Sequence, residues 1–223
     1  YTNRLAQAFQ LDWVFNYAET KDVFIQLCLN NHGQVSTVVN AEWGNNPYNS
    51  ANGGPCVNTW DFFTDATAKN FIKQRMRYIN ARWGYSDHLL AWELFNEVDW
   101  TDNFDTYKTD VANWHNEMAH YLKDIDVNQH LVTTSFAKEK YDADVWNLAD
   151  IDLTATHYYS SAADQQIIHV GGSQSYLTTY SKPTMVAEFG FSDAAYSVLN
   201  DPNGINLNNS LWATSVSGAF GTS

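Results

Sequence analysis

Basic residues are scarce in this chain. Twelve Lys and Arg stand against 25 Asp and Glu in 223 residues, a formal net charge of −13. Nothing resembles the basic stripe that a nucleic-acid or anionic-membrane surface requires, so neither partner is expected. The same balance disfavours a strongly acidic polysaccharide. Cysteine is nearly absent. Cys28 lies in an apolar run and reads as a small core residue, while Cys56 lies in a Gly/Pro/Asn loop. No Cys/His cluster has zinc spacing, so no metal and no cofactor is expected, and no disulfide is argued from two cysteines alone. There is no run of about 18 apolar residues, hence no expected membrane span. No signal-peptide pattern opens at Tyr1, and the chain begins mid-pattern, so an upstream segment is expected.

What is abundant is aromatic. Phe, Trp and Tyr make up 15% of the chain, with nine Trp and thirteen Tyr. Such a surplus serves a core, or stacks on sugar faces. The length allows one domain with a sizeable core.

Apolar spacing from residue 4 to 19 predicts a helix (Leu5, Ala8, Phe9, Leu11, Val14, Phe15, Ala18). Val23–Leu29 reads as a buried strand with a polar tip at Asn30-Asn31-His32-Gly33. Residues 33–60 form a long Asn/Gly/Trp-rich loop in which Trp43, Tyr48 and Trp60 offer a sugar platform, with a self-packed surface loop as the rival reading. Thr64-Asp65 caps a helix over 66–83, with Phe71, Ile72, Met76 and Ile79 inward, and Gly84 stops it. A strand covers 89–95 and a helix 107–124. The Asp residues of the intervening loop lack EF-hand spacing and read as turn and capping groups. A strand at 131–136, a short helix at 141–148 and a strand at 151–159 follow. Then come a helix over 162–180 interrupted at Gly171-Gly172, a strand at 184–189, a polar loop over 192–209 and a helix at 210–216. Gly218–Gly221 begins a further element. Strands alternating with helices, without hairpin signals, predict parallel βαβ units in an α/β fold.

Two strands stand out. Leu89-Leu90-Ala91-Trp92-Glu93-Leu94-Phe95 ends in Asn96-Glu97, and Met185-Val186-Ala187 ends in Glu188-Phe189-Gly190. A carboxylate at the end of a buried strand is costly unless it has a partner or a task. In parallel α/β proteins that end builds the active site. Two glutamates converging on one bond are what glycoside hydrolysis requires, one as acid and one as nucleophile or base. Asn96 can donate to a sugar hydroxyl. His157 and Tyr159 share a face at a third strand tip, where Tyr159 can donate to the nucleophile and His157 can orient a catalytic group. His32 is a similar strand-tip residue. Glu93, inside its strand, reads as a buried, paired group.

These motifs resemble the clan A glycoside hydrolases, and within them the cellulase/β-mannanase-type enzymes of glycoside hydrolase family 5. The likeness rests on Trp92–Glu97, on Val186–Gly190 and on the His157-Tyr158-Tyr159 tip. It is supported by Asn46-Pro47-Tyr48, Gly53-Gly54-Pro55, Phe62–Asp65 and Ala81–Tyr85. The resemblance implies a (β/α)8 TIM barrel in one domain. It implies a retaining double displacement on a neutral β-1,4-linked glucan or mannan and a secreted protein. Glu97 becomes the acid/base, Glu188 the nucleophile and Asn96 a 2-hydroxyl ligand, with His157, Tyr159, His32, Trp43 and Trp60 around an oligo- or polysaccharide substrate. In that frame strand 23–29 is the third, so the chain covers about strands 3 to 8. The remainder of a longer polypeptide is then expected to supply strands 1 and 2. A barrel that binds sugar without cleaving it, or serves as an assembly subunit, is the alternative.

Overall fold

The computed structural model describes residues 4–137, 143–160, 166–191 and 201–220. Helix α1 (Leu5–Lys21) leads into β1 (Ile25–Cys28). After a long loop come the short α2 (Asp61–Thr64), α3 (Ala66–Trp83), β2 (Leu89–Glu93) and α4 (Phe104–Ile125). The rest runs β3 (Leu131–Thr133), β4 (Ser135–Phe136), α5 (Ala143–Trp146), β5 (Thr154–Ser160), α6 (Gln166–Tyr180), β6 (Thr184–Phe191) and α7 (Ile205–Val216).

Every strand pair is parallel, in the order β1-β2-β3 and β4-β5-β6. Only Thr134 separates β3 from β4, and the ladder to the β2 segment continues across it. Leu94 N donates to Thr133 O at 2.8 Å and Ser135 N to Phe95 O at 2.9 Å. Spatial order therefore equals chain order, each crossover stepping the same way. A doubly wound sheet would reverse direction at a switch point, whereas a barrel wall does not. All carboxyl ends consequently lie on one side.

The core is aromatic beneath that side. The rings of Phe62, Phe63, Phe95 and Trp114 meet one another at 5.4–6.1 Å, and all four are buried. Burying each such ring contributes on the order of 2–3 kcal/mol. Phe95 and Val98 are both fully buried, so the chain is pinned on either side of Asn96-Glu97.

Helix α3 has the expected bounds, with Asp65 accepting from Ala68 N at 2.8 Å. Other expectations need correction. Phe71 is 44% exposed, and only Ile72 and Met76 of its set are fully buried. In α1, Ala8, Phe15 and Ala18 turn inward while Leu5, Phe9 and Val14 face out. The strand expected over 131–136 breaks at Thr134. Helix α6 passes through Gly171-Gly172 without interruption, because Gly172 provides room rather than a break. A Cβ there would collide with the Tyr158 hydroxyl. Cys28 is exposed on the edge strand rather than buried, and both cysteines are free. Asp102 accepts from Thr37 N at 2.9 Å and Asp99 from Ala137 N at 2.7 Å, as turn carboxylates do. Phe220 N donates to Thr184 O at 2.9 Å, alongside β6. The expectations at residues 141–142, 162–165 and 192–200 and at Gly221 lie outside the described residues.

His115 joins α4 to the wall. Its Nδ1 donates to Val111 O at 2.8 Å, and Nε2 lies 3.0 Å from the Thr134 hydroxyl oxygen. Burial pushes its pKa from 6.5 down to about 4, and burial does the same to His169. The unfolded chain therefore binds more protons than the fold between these values. Stability is complete above pH 6.5 and falls as pH drops toward 4, by about 1.4 kcal/mol per pH unit for each histidine. Urea unfolding at pH 7.5 and 4.5 should register this drop, and His115→Gln should make the dependence shallower.

Candidate active site

The β2 segment ends in a sharp turn. Asn96 is still in the sheet, since its N–H donates to Asn30 O at 2.8 Å and its carbonyl accepts from His32 N at 3.1 Å. Glu97 then adopts φ 50° and ψ 50°, a left-handed conformation uncommon for a side chain of this length. Such conformations cost of order 1–3 kcal/mol and concentrate at functional sites. The turn is held by Glu97 N donating to the Ser135 hydroxyl at 3.0 Å and by Trp100 N donating to Glu97 O at 3.0 Å.

Glu97 and Glu188 converge. Oxygens of the two carboxylates and a ring nitrogen of His157 all lie within 4.8 Å of one another. Asn96 Nδ2 donates to Glu188 Oε1 at 3.1 Å, and Tyr159 OH donates to Glu188 Oε2 at 2.8 Å. His157 Nδ1 is 2.9 Å from Glu97 Oε1 and 3.5 Å from Glu188 Oε2. That His157 and Tyr159 both reach one carboxylate accords with their sharing a face of β5. His32 completes the ring. Its Nε2 accepts from the Asn40 amide at 3.0 Å, which leaves its proton on Nδ1, 3.4 Å from Glu97 Oε2. Six sequence-predicted residues are thus brought together: His32, Asn96, Glu97, His157, Tyr159 and Glu188.

The His157 side chain is fully buried, while that of Glu188 is 38% exposed, so the site opens at Glu188. Burial alone would lower the His157 pKa. The hydrogen bond that its ring N–H donates to Glu97 and the charges of Glu188, Glu97 and Glu93 outweigh it, and the net direction is up. The arrangement suits chemistry in which a proton and a negative charge move between neighbouring groups. Glu97, His157 and Glu188 are also the residues that could hold a cation, and Glu19, Asp87 and His88 form a second such group at the opposite end of β2.

The contacts of Trp43 and Trp60 among the described residues lie away from the carboxylates, with Trp60 on Tyr107 and both rings on a separate depression. Trp43 is 6% exposed and Tyr48 8%, so the loop of residues 33–60 buries these two rings instead of displaying them. Side chains of Asn46, Asn49 and Asn52 satisfy its backbone, donating to Gln34 O, Trp43 O and Gly44 O. Trp60 is half-buried and stacks on Tyr107 with ring centroids 5.1 Å apart. The two tryptophans border a depression of about 490 Å³ with Val38, Asn58 and Asp102, and its lining includes neither glutamate. Ser135 carries no signal in the sequence, where it reads as one more residue of a β-strand.

A parallel β/α wall carrying two carboxylates, an Asn and a Tyr at its carboxyl ends is the arrangement of a clan A glycoside hydrolase, and this chain resembles that group in sequence as well as in fold. Over 226 residues it is 26% identical to mannan endo-1,4-beta-mannosidase 3 of Oryza sativa subsp. japonica, an alignment covering 81% of this chain and 46% of the relative. The chain therefore spans about half the length of that relative. The hyperthermostable endo-1,4-beta-D-mannanase of Thermotoga petrophila RKU-1 superposes with a TM-score of 0.70 at 18% identity, over 95% of this chain and 66% of that one. A psychrophilic glycoside hydrolase family 10 endo-beta-1,4-xylanase superposes with a TM-score of 0.59 at 13% identity, over 94% and 68%. No protein-family model matches the chain.

The pairing around His157 carries a measurable sign. A histidine with a raised pKa in the fold contributes stability that is complete below pH 6.5 and is lost as pH rises through the raised value. Nuclear magnetic resonance of the His157 ring should give a midpoint above 6.5. Glu97→Gln should bring that midpoint down, and an unchanged midpoint would mean that Glu97 is not its principal partner.

Proposed function

We propose that this chain carries the catalytic carboxylate pair of a retaining glycoside hydrolase acting on neutral β-1,4-linked glycans, with mannan favoured over glucan. The observation that carries the reading is the approach of the Glu97 and Glu188 carboxylates to within 4.8 Å. Retaining enzymes hold their carboxyl groups about 5–5.5 Å apart, whereas inverting enzymes leave about 6.5–9.5 Å for a water. The preference for mannan, a family 5 assignment and secretion draw on the relatives, two of which are named mannanases. Among the described residues no helix is long and apolar enough to cross a membrane.

In this mechanism Glu188 attacks the anomeric carbon as Glu97 passes its proton to the leaving oxygen, and the glycosidic bond breaks. Water, deprotonated by Glu97, then displaces Glu188 from the sugar. Tyr159 and Asn96 both donate to Glu188, one on each oxygen, which holds the carboxylate in place for attack. His157 and His32 flank Glu97 on its two oxygens and fix its orientation.

Wild type should hydrolyse soluble β-1,4-mannan with retention of anomeric configuration. Glu188→Ala should fall to background, and Glu97→Ala should lose about 10²–10⁴ in rate, most for poor leaving groups. Inverted product would reassign Glu188 as a base. Absence of turnover on mannan, glucan and xylan alike would favour a sugar-binding barrel.

The same reading assigns the chain to barrel strands 3 to 8, with two further strands from a longer polypeptide beside β1. Among the described residues β1 pairs only with β2. A mostly apolar groove of about 330 Å³, lined by Leu11, Leu27, Leu29, Ile79 and Trp83, lies between α1, the β1 segment and α3. The 223 residues expressed alone should self-associate. A stable, monodisperse monomer by light scattering would count against two missing strands.

A further inference from the structure

A second carboxylate system lies beneath the site. Glu93 is 5% exposed, four residues before Glu97. Its Oε1 accepts from the Ser135 hydroxyl at 2.6 Å and its Oε2 from Gln26 Nε2 at 3.0 Å. The Ser135 oxygen in turn receives Glu97 N–H at 3.0 Å and faces Asn96 Nδ2 at 3.4 Å. Ser135 is itself fully buried, so water does not compete for these positions.

The valences settle the direction of each bond. A serine hydroxyl has one proton and two lone pairs. The Glu97 amide and the Asn96 side-chain nitrogen can only donate, so together they occupy both lone pairs. The single proton then has one acceptor left, Glu93 Oε1. An ionised Glu93 completes the pattern. A proton on Oε1 would instead point at the Ser135 oxygen and turn the serine proton toward a second donor.

We propose that Glu93, acting through the Ser135 hydroxyl, is a positioning residue that holds Asn96 and the left-handed Glu97 in register with Glu188, an inference that rests on the glycosidase reading of that pair. Glu93 touches none of the reacting groups. Its charge also reaches them: it raises His157, and Glu188 opposes the ionisation of Glu93 in return. Burial raises Glu93 first, with Ser135, Gln26 and His157 favouring its charged form. On β1, burial and then the Glu93 charge raise the Cys28 thiol.

Three substitutions test this in the full-length polypeptide. Ser135→Ala removes the shared acceptor and should lower kcat at least tenfold while leaving KM within about twofold, since substrate contacts remain. Glu93→Leu should do the same. Glu93→Gln keeps an acceptor for the Ser135 proton, and Gln26 can rotate its amide to receive the new donor. It should therefore recover most of kcat while the alkaline limb of the pH profile moves to lower pH. A merely structural role would lower the yield of folded protein, and leave kcat per active site and the pH profile unmoved; that result would overturn the proposal. Titration of His157 by nuclear magnetic resonance provides a readout without substrate. If wild type turns over no glycan but Glu93→Gln lowers the His157 midpoint, the glycosidase reading fails while the coupling stands. If glycan is hydrolysed and none of the three variants alters kcat or the midpoint, the positioning role fails alone.

Discussion

Two carboxyl groups held within 4.8 Å of one another repel whenever both are ionised, and much of the upper wall is arranged to offset that repulsion. With an effective dielectric near 20 the interaction costs about 3 kcal/mol. It is met by donors from several separate segments. Asn96 comes from the end of the β2 segment, His157 and Tyr159 from β5, and His32 from the turn after β1. No single one suffices, because each carboxylate has two oxygens and each oxygen needs its own partner. The arrangement holds only if the strands ending in these residues are parallel and adjacent in order, and that is the fold observed.

Register is the second condition. Along β5 and β6, Thr156 lies opposite Val186 while His157 lies opposite Glu188, so Ala187 is an extra residue on β6. Side chains alternate faces along a strand, and a slip of one residue would exchange them. The bulge at Ala187 re-aims Glu188 toward the cluster, as bulges near active sites commonly do. A similar irregularity places Leu90 as the extra residue of β2, between the Ile25–Leu89 and Gln26–Ala91 pairs. It sets the phase in which Gln26 comes within reach of Glu93.

The strand ends were legible because each joins two opposed signals, an apolar run and then a carboxylate that the run should not tolerate. His157 and Tyr159 were legible from alternation alone, since β5 keeps its period and the bulge lies on its partner. Glu93 read correctly as a buried, paired group. Ser135 was not legible. A serine between Thr134 and Phe136 carries no periodic signal, and its importance arises from a non-local approach to Glu93 and Glu97. Trp43 was ambiguous for a different reason, since its loop read equally as a sugar platform or as self-packed. Aromatics in a polar loop read as display, but the asparagines of this loop satisfy enough backbone for it to pack inward. Phe71 and the Gly171-Gly172 pair show the same limit. Periodicity gives a helix its existence, while the neighbours decide which face is covered and whether a glycine breaks the helix or makes room.

Local rules are broken in few places among the described residues, and where they are broken is informative. Non-glycine residues with positive φ include Asp22, Asn40 and Asn103, short polar side chains that tolerate that conformation, and Gln129, whose amide bonds the carbonyls of Lys123 and Asp126. Glu97 has no such local compensation from its own side chain, which points instead at two histidines. The buried carboxylate of Glu93 and the bulge at Ala187 are two further departures, and both lie within the same hydrogen-bonded set. Sequences that specify a fold keep local preference and global structure in agreement, except where function holds them apart. Departures of three different kinds, one conformational, one electrostatic and one of register, converge here on the space between Glu97 and Glu188. Packing alone would have no reason to collect them there.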